Sequence, residues 1–323
     1  MKNACIAAIM GLAIASPAQA QKPSGLPDNY PSNPIRFVIS SSPGGAIDIC
    51  GRAVSAKLNE RWGNSIAENR PGNNVAFDLV MKSPPDGYTL LAGSISAFVG
   101  AELILKSPFN VRTEFLPISQ CINTPYIVSV NQDLPARNLR ELIAHAKSNP
   151  NKLNYAFGAI GSAPQLFSEL LKIVAEIDMQ GIPFKGVGPS YLEQMAGRIN
   201  LTVGTAASSG PLVKSGKIRG IAVTSERRVK AFPDLPTVRE TLPNFDVMGA
   251  WVGFLGVKGT NPQIINALNR EINSILGLPD VEKMLTADGS ELSLITPDQF
   301  RKVIADSLDS TARIVKQANI KVE

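Results

Sequence analysis

The side chains of this sequence that are best suited to ligand chemistry are short and polar, and they lie in glycine-rich loops. The first of these loops, residues 41–48, has the sequence SSPGGAID and joins a predicted strand to a predicted helix. Gly44 and Gly45 let backbone amides approach a ligand closely, and the positive end of a helix dipole favours an anion there. Asp48 could either cap that helix or accept a hydrogen bond from a ligand. Because the loop matches neither the dinucleotide nor the ATP-binding glycine pattern, it predicts an anion site or an ordinary turn.

A second candidate lies before another predicted helix, which begins near residue 163. Ser162 is in the position of an N-cap, with Pro164 in the first turn and Gln165 where a capping box requires it. Taken alone, this pattern favours a structural cap, although Gly161 and Ser162 could also offer an amide and a hydroxyl to an anionic group. The two loops fall in different halves of the chain, and the pair therefore indicates an acid held between two units.

The residue counts exclude several classes of function. The chain has 323 residues but a single histidine, His145, so a metal site or an acid–base pair built from several histidines is impossible. His145 lies off the apolar face of its predicted helix, which favours a solvent-facing residue over a catalytic base. The sequence also lacks the HExxH, GxSxG and CxxC patterns. We therefore predict no catalytic activity, no metal and no cofactor.

The basic residues are scattered along the chain. The formal net charge is +5, and the longest basic run is Arg227-Arg228. With 2 Trp, 5 Tyr and 12 Phe, aromatic side chains are too few for a platform on which bases stack. The composition therefore predicts no nucleic-acid partner, whereas a mild positive potential favours a small anionic ligand.

The N-terminal residues have the pattern of a secretory signal peptide. Lys2 supplies a positive charge, residues 6–14 are apolar but too few to span a bilayer, and Ala18-Gln19-Ala20 is a small-x-small cleavage pattern. We predict cleavage after Ala20 and export of the mature chain. An uncleaved membrane anchor is the alternative.

Two cysteines, Cys50 and Cys121, would remain after that cleavage. An oxidising compartment allows them to form a disulfide. One possible pair is weak support for a bond, and free cysteines are commonly buried. The sequence therefore leaves both states open and favours two buried thiols.

Predicted strands and helices alternate along the chain, which indicates an α/β architecture. At roughly 100–200 residues per domain, the length predicts two domains. In α/β sheets, ligands bind at the loops beyond the carboxyl ends of the strands. The loops of interest are therefore residues 41–46, 93–97, 158–162 and 204–209.

Short motifs follow one another along almost the whole mature chain. They are YPSNPIR (30–36), PGG followed by Asp48 (43–48), ENRPG (68–72), PDGYTLL (85–91), LNYA (153–156), IPFKG (182–186), AVTS (222–225) and FPDLPTV (232–238). Each motif is modest by itself. As a collinear set, they resemble the Bug family, the periplasmic solute receptors of tripartite tricarboxylate transporters.

This resemblance implies a two-lobed periplasmic-binding-protein (Venus flytrap) fold, in which each lobe is a mixed, mostly parallel sheet flanked by helices. Residues 21–122 and 247–323 would form the first lobe and residues 123–246 the second. The ligand carboxylate would be held by the first strand–helix loop, the loop after strand 88–92 and two loops of the second lobe. The implied ligand-binding residues are Ser41, Ser42, Gly44, Gly45, Asp48, Ser94, Ser96, Gly161, Ser162 and Thr205.

Three loops depart from the family pattern. Ser41-Ser42 replaces the usual aromatic-Pro pair, and residues 73–76 (NNVA) form a shorter loop without the usual glycines. Gly204-Thr205 stands where the family often has Asp-Asn, which removes a carboxylate partner for an ammonium or hydroxyl group. We therefore expect an aliphatic or aromatic mono- or dicarboxylate without an ammonium group.

The leading interpretation is a monomeric periplasmic receptor that captures a small organic carboxylate. It would deliver this ligand to the membrane components of a tripartite tricarboxylate-type transporter. A receptor that reports to a two-component sensor is the first alternative. An exported hydrolase is the second, although the sequence offers no nucleophile elbow.

Overall fold

Two sheets, one of six strands and one of five, organise the computed structural model. It describes residues 27, 30–71, 73–99, 102, 110–158, 162–184, 187–246 and 250–317. The predicted signal peptide and Gly161 lie outside these residues. The unit around the six-stranded sheet is the first lobe, and the unit around the five-stranded sheet is the second lobe.

The first segment of the first lobe alternates strands with helices, as the sequence predicts. Its long helix α1 buries Cys50, Val54 and Leu58, which repeat at helical spacing, and it ends at Gly63 in the left-handed conformation. The elements are β1 (Ile35–Ile39), α1 (Ala46–Trp62), β2 (Ser65–Asn69), α2 (Asn73–Met81), β3 (Thr89–Ser94), α3 (Ile95–Val99), α4 (Val111–Glu114) and β4 (Phe115–Thr124).

The chain enters the second lobe after Pro125. At the start of its first helix, the Asn138 side chain accepts a hydrogen bond from the Glu141 amide at 3.0 Å and so caps the helix. The elements are β5 (Tyr126–Val130), α5 (Leu139–Ser148), β6 (Leu153–Phe157), α6 (Ala163–Ala175), β7 (Met179–Pro183), α7 (Val187–Met195), β8 (Leu201–Thr205), α8 (Ala206–Lys214), β9 (Arg219–Val223) and a 3-10 helix (Val238–Glu240).

The chain then returns to the first lobe for its last elements. These are β10 (Ala250–Val257), α9 (Pro262–Leu276), α10 (Pro279–Thr286), β11 (Glu291–Leu292) and α11 (Pro297–Gln317). Helix α11 packs against α3 in the first lobe and against α6 in the second, so it links the two lobes. None of the helices in the described part of the chain has the length and hydrophobicity that a bilayer crossing needs.

Both sheets are mixed, as predicted. The strand order is β11-β4-β10-β3-β1-β2 in the first lobe and β7-β6-β8-β5-β9 in the second. Parallel pairs join β1 to β2 and β3, and β6 to β7 and β8; the other five pairings of the described strands are antiparallel. The antiparallel share exceeds what strand–helix alternation predicts, because β4, β5 and β10 adjoin the two crossings between lobes and run against their neighbours.

A disulfide bond joins Cys50 to Cys121, whose Cα atoms are 6.4 Å apart. The preference for two buried thiols, drawn from the sequence, is therefore wrong. Cys50 lies on α1 and Cys121 on β4, and both are fully buried in one apolar cluster. Packing of the helix on the sheet brings together two residues that are 71 positions apart, and local sequence carries no information about that approach.

Candidate functional site

A cavity of about 380 Å³ lies between the two lobes. Its volume falls within the range of roughly 300–1,000 Å³ that is typical of small-molecule sites. The predicted site residues that line it are Gly44, Gly45, Ser94, Ser96 and Thr205. Four other predicted site residues are described by the structure but do not line the cavity: Ser41, Ser42, Asp48 and Ser162. Gly161 lies outside the described residues.

Two side chains hold the first loop of the cavity in place. Asp48 is only 5% exposed and accepts hydrogen bonds from the Gly44 amide at 2.9 Å and from the Asn69 side chain at 2.8 Å. Asn69 also donates to the Ser41 carbonyl at 3.0 Å, and Arg52 donates to Asp48 at 2.8 Å. In this arrangement Asp48 organises the loop and does not line the cavity.

The environment of Asp48 favours its ionised form. Burial by itself would raise the pKa of this carboxyl, but the hydrogen bonds from Gly44, Asn69 and Arg52 outweigh burial and lower the pKa below its ordinary value. Gly44 has a φ of 88°, a left-handed conformation that favours glycine, and this conformation lets its amide point back toward Asp48. The glycine and the aspartate of the first motif therefore act as one unit.

Helix starts from both lobes open into the cavity. In the first lobe, α1 begins after Gly45, which has no side chain to cap the first amides. In the second lobe, α8 begins after Thr205. Each start carries partial positive charge that stabilises an anion by roughly 0.3–1 kcal/mol. From the sequence, the loops before α1 and α6 were predicted to hold the ligand together. In the structure, the start of α8 lines the cavity opposite α1.

Thr205 both caps α8 and lines the cavity. Its hydroxyl accepts from the Ser208 amide at 3.3 Å and is hydrogen-bonded to the Ser208 hydroxyl at 3.0 Å. The Ser208 hydroxyl is also bonded to the Tyr191 hydroxyl at 3.1 Å. A Cβ atom at Gly204 would overlap that Tyr191 hydroxyl, so the missing side chain at position 204 has a packing reason.

Ser41 and Ser162 carry buried hydroxyls that have no hydrogen-bond partner in the described part of the chain. Ser162 occupies the predicted N-cap position of α6, but its side chain makes no cap hydrogen bond. Leaving a buried hydroxyl unpaired costs about 1–3 kcal/mol. Both hydroxyls therefore keep an unused hydrogen-bonding capacity, although neither residue lines the cavity.

Ser94 and Ser96 lie at the start of α3. The Ala97 amide is 3.5 Å from the Ser94 hydroxyl, and Ser96 hydrogen-bonds to the side chain of Tyr126 in the second lobe. Burial raises the pKa of Tyr126 to about 12, while the bond to Ser96 acts in the opposite direction. Tyr126 is therefore a neutral hydroxyl at physiological pH, and it connects the lobes beside the first crossing.

The polar groups that line the cavity are neutral, apart from one carboxylate. Within the described residues, no Lys, Arg or His lines it, and its charged lining residue is Asp288. The described chain also places no group of three or more His, Cys, Asp or Glu side chains where they could hold a metal ion. An anion in this cavity would be held by amides, hydroxyls and helix starts.

Several lining residues were not predicted from the sequence. Thr124 and Tyr126 flank the first crossing, so the predicted crossing near residue 123 was a usable signal for them. Asp288 precedes Gly289 in an Asp-Gly turn, a pattern that marks turns but not what they face. Trp251 lies in a strand whose residues are all buried, and nothing local distinguishes it.

The comparisons with known proteins agree with this geometry. The family described as "Tripartite tricarboxylate transporter family receptor" matches residues 50–320. Protein BugT of Bordetella pertussis is 32% identical over 322 residues, which cover 98% of each chain. The solved structure of R. palustris Rpa4515 with adipate has a TM-score of 0.75 at 28% identity and covers 90% of this chain and 99% of that one. MatC (Rpa3494) from Rhodopseudomonas palustris with bound malate has a TM-score of 0.72 at 25% identity and covers 88% and 100%.

These matches confirm the resemblance that the ordered motifs carried and the two-lobed α/β fold that it implied. They also confirm the expectation that the chain is not an enzyme, because the family consists of substrate-binding receptors. The chain belongs to the tripartite tricarboxylate transporter receptor family, the Bug proteins, and is a periplasmic solute-binding receptor of that family.

Proposed function

We propose that this receptor captures a small organic carboxylate between its two lobes, an aliphatic or aromatic mono- or dicarboxylate. The observation that carries the proposal is the cavity between the lobes, which has helix starts from both lobes and no basic side chain among its described lining residues. Backbone amides and hydroxyls recognise a carboxylate by geometry, and the helix starts supply positive potential. Two similar proteins, solved with adipate and with malate, support the same class of ligand.

The proposed roles of the site residues follow from their positions. Gly45, Ser94, Ser96 and Thr205 would contact the ligand from the cavity wall, with Gly44 shaping the loop. Ser41 and Ser42 in the loop before α1, and Gly161 and Ser162 in the loop before α6, would complete the site. Asp48 would act indirectly, by holding the first loop.

The direct test is to identify the ligand that the protein carries. The mature chain would be purified from the periplasm without denaturation, and the released small molecules would be identified by mass spectrometry. Isothermal titration calorimetry against a panel of carboxylates would then follow. We expect a carboxylate in the released material and saturable binding of that acid. Binding confined to uncharged or cationic solutes would contradict the proposal.

Export and delivery to a transporter are parts of the same proposal. The mature protein would begin at Gln21, which intact-mass measurement of the periplasmic form tests. Deleting the gene should abolish uptake of the identified acid, because the membrane components of the transporter depend on the receptor. Normal uptake combined with a lost transcriptional response to the acid would favour the two-component sensor.

The first lobe boundary proposed from the resemblance, near residues 122–123, falls within the last residues of β4, and the second, near residues 246–247, falls a few residues before β10 begins at Ala250. A monomer is proposed as the working state. Sedimentation with and without the identified acid would test it.

A further inference from the structure

We infer that Asp288 selects ligands that carry a hydrogen-bond donor, a hydroxyl or an ammonium group, in addition to their carboxylate. The inference rests on the proposed function, because it concerns the occupant of the same cavity. It also changes the expectation drawn from Gly204. A carboxylate is absent at that position, but the fold brings another one to the cavity from the first lobe.

Asp288 lies in the turn between α10 and β11 and lines the cavity. It is half-buried, and it is the one charged side chain among the described lining residues. A carboxylate in a site that otherwise consists of amides, hydroxyls and apolar groups is the strongest local feature that a ligand would meet.

One oxygen of Asp288 is committed and the other is not. Oδ1 accepts a hydrogen bond from the Ser290 amide at 2.8 Å. Within the described chain, Asp288 makes no other hydrogen bond and forms no ion pair. A carboxylate can accept about four hydrogen bonds, so Oδ2 is available to a donor on the ligand.

The turn that carries Asp288 is fixed by contacts with both lobes. Gly289 has a φ of 91°, and a Cβ atom there would lie 3.1 Å from the Ala231 side chain and 3.2 Å from the ring of Phe232, both in the second lobe. The Ser290 hydroxyl is bonded to the Thr124 hydroxyl of β4 at 2.8 Å. Because the turn is wedged between the lobes, the carboxylate is a fixed acceptor that cannot readily withdraw from a bound ligand.

Enclosing a ligand removes water from Asp288, and the ligand must replace it. An ionised carboxylate that loses water without gaining a partner is strongly unfavourable. A ligand that offers only carboxylates would also place like charges in one cavity, where the dielectric constant is lower than in water. A hydroxyl group removes the first penalty by donating to Oδ2, and an ammonium group removes the first and also offsets the second with its positive charge.

The test compares matched acids that differ in one substituent. Three sets are titrated into the mature wild-type protein by calorimetry: propionate, lactate and alanine; succinate, malate and aspartate; and phenylacetate, mandelate and phenylglycine. In the set that fits the cavity, we expect a donor-bearing acid to bind at least about tenfold more tightly than its unsubstituted parent, as a charged hydrogen bond implies. Equal or tighter binding of the unsubstituted acid would overturn the inference and leave the proposed function standing. Failure of every acid to bind would count against the proposed function itself.

Asp288→Asn separates ligand selection from folding. The Asn carbonyl can still accept from the Ser290 amide, so we expect the melting temperature of the ligand-free protein to stay unchanged. The variant loses the charge and presents an NH2 donor, so the preference for donor-bearing acids should fall about tenfold or reverse. Asp306→Asn is the matched control, because Asp306 is exposed on α11, where it pairs with Lys302 away from the cavity. An unchanged preference in Asp288→Asn would overturn the inference.

The two donor groups are distinguished in the same experiment. An ammonium group that pairs with Asp288 should lose more affinity on Asp288→Asn than a hydroxyl group, and its binding should weaken more steeply with salt. Whichever acid shows the larger loss identifies the donor that this receptor selects.

Discussion

The two walls of the ligand cavity are held in place by different means. In the first lobe, the loop before α1 is fixed by Asp48 and Asn69, and α1 itself is tied to β4 by the Cys50–Cys121 disulfide. In the second lobe, Thr205 caps its own helix, and the Ser162 hydroxyl makes no hydrogen bond within the described chain. The first wall is thus fixed by groups from distant parts of the chain and the second by a local cap, while each lobe keeps one buried hydroxyl, of Ser41 or of Ser162, without a partner in the described chain.

The two walls differ because the groups that fix the first wall are far apart in the sequence, whereas those that fix the second are close together. The groups that fix the first wall come from α1, β2 and β4, so they form only when the lobe is folded. The group that fixes the start of α8 comes from the same helical turn. Substitutions in the first wall should therefore mainly lower the free energy of unfolding. Substitutions in the second wall should lower it less and should have a larger effect on ligand affinity.

The largest expected effect is removal of the disulfide. The double substitution Cys50→Ala and Cys121→Ala should lower the free energy of unfolding by about 4 kcal/mol, because the bond closes a loop of 71 residues in the unfolded chain. Guanidinium denaturation measures this loss. Wild-type protein reduced with dithiothreitol is the control, since it loses the bond without losing the sulfur atoms. A loss of less than 1 kcal/mol in both samples would show that the bond does not anchor the first wall.

The next largest effect is expected for Asp48→Ala. The substitution leaves the Gly44 amide, the Asn69 side chain and Arg52 without their acceptor, which should lower the free energy of unfolding by about 2–3 kcal/mol. Because the loop then loses its shape, ligand affinity should fall as well. Asp78→Ala is a matched control, since Asp78 pairs with Lys82 on the exposed side of α2, and it should change stability by less than about 0.5 kcal/mol.

Acid should remove the contribution of Asp48 at a defined point. Its pKa in the folded protein is lowered relative to its ordinary value of about 3.9, so it stabilises the fold fully above that value. The contribution is lost as the pH falls through the lowered pKa. The difference in unfolding free energy between wild type and Asp48→Asn should be constant from pH 7 to about pH 5 and should shrink below about pH 4. A difference that already disappears near pH 6 would contradict the assignment.

A smaller effect is expected at the start of α8. Thr205→Ala removes the acceptor of the Ser208 amide and should lower the free energy of unfolding by about 1 kcal/mol, the usual contribution of an N-cap. Thr205→Ser keeps the hydroxyl and should retain most of that stability. Thermal denaturation of the two variants measures the contrast, and equal melting temperatures would show that the cap contributes little.

Ser162→Ala should have the smallest effect on stability. The hydroxyl makes no cap bond, so its removal should leave the melting temperature unchanged or raise it slightly, because a buried unpaired hydroxyl is lost. If the hydroxyl serves the ligand, affinity for the identified carboxylate should fall about tenfold. A loss of about 1 kcal/mol in stability together with unchanged affinity would return Ser162 to a purely structural role.

The contrast between Ser162 and Thr205 shows how far sequence patterns reach. Both residues occupy an N-cap, and the pattern at 162–165 places the helix start correctly. Whether the hydroxyl of such a residue bonds to its own helix depends on small rotations of the side chain and on what lies across from it. The sequence pattern was thus sufficient for the position of α6 but not for the use of its serine.

Asp48 and Asp288 illustrate the same limit for charged residues. Asp48 lies in the motif that carries the family resemblance, yet the structure commits its oxygens to Gly44, Asn69 and Arg52. Asp288 lies in an ordinary Asp-Gly turn, yet it reaches the cavity. Asn69 contacts Asp48 from the neighbouring strand β2, an approach that packing decides, whereas Ser290 contacts Asp288 from the same turn.

By itself, the sequence determined the alternation of strands and helices, the glycine-rich loops at the helix starts and the membership of the family. These properties follow from local periodicity, from turn chemistry and from the order of short motifs. Only the tertiary structure decided that Cys50 meets Cys121, that α8 faces α1 across the cavity and that Asp288 supplies its charge. Each of these contacts joins elements that are far apart in the chain. Such contacts depend on how the helices pack on the two sheets and on how the lobes meet.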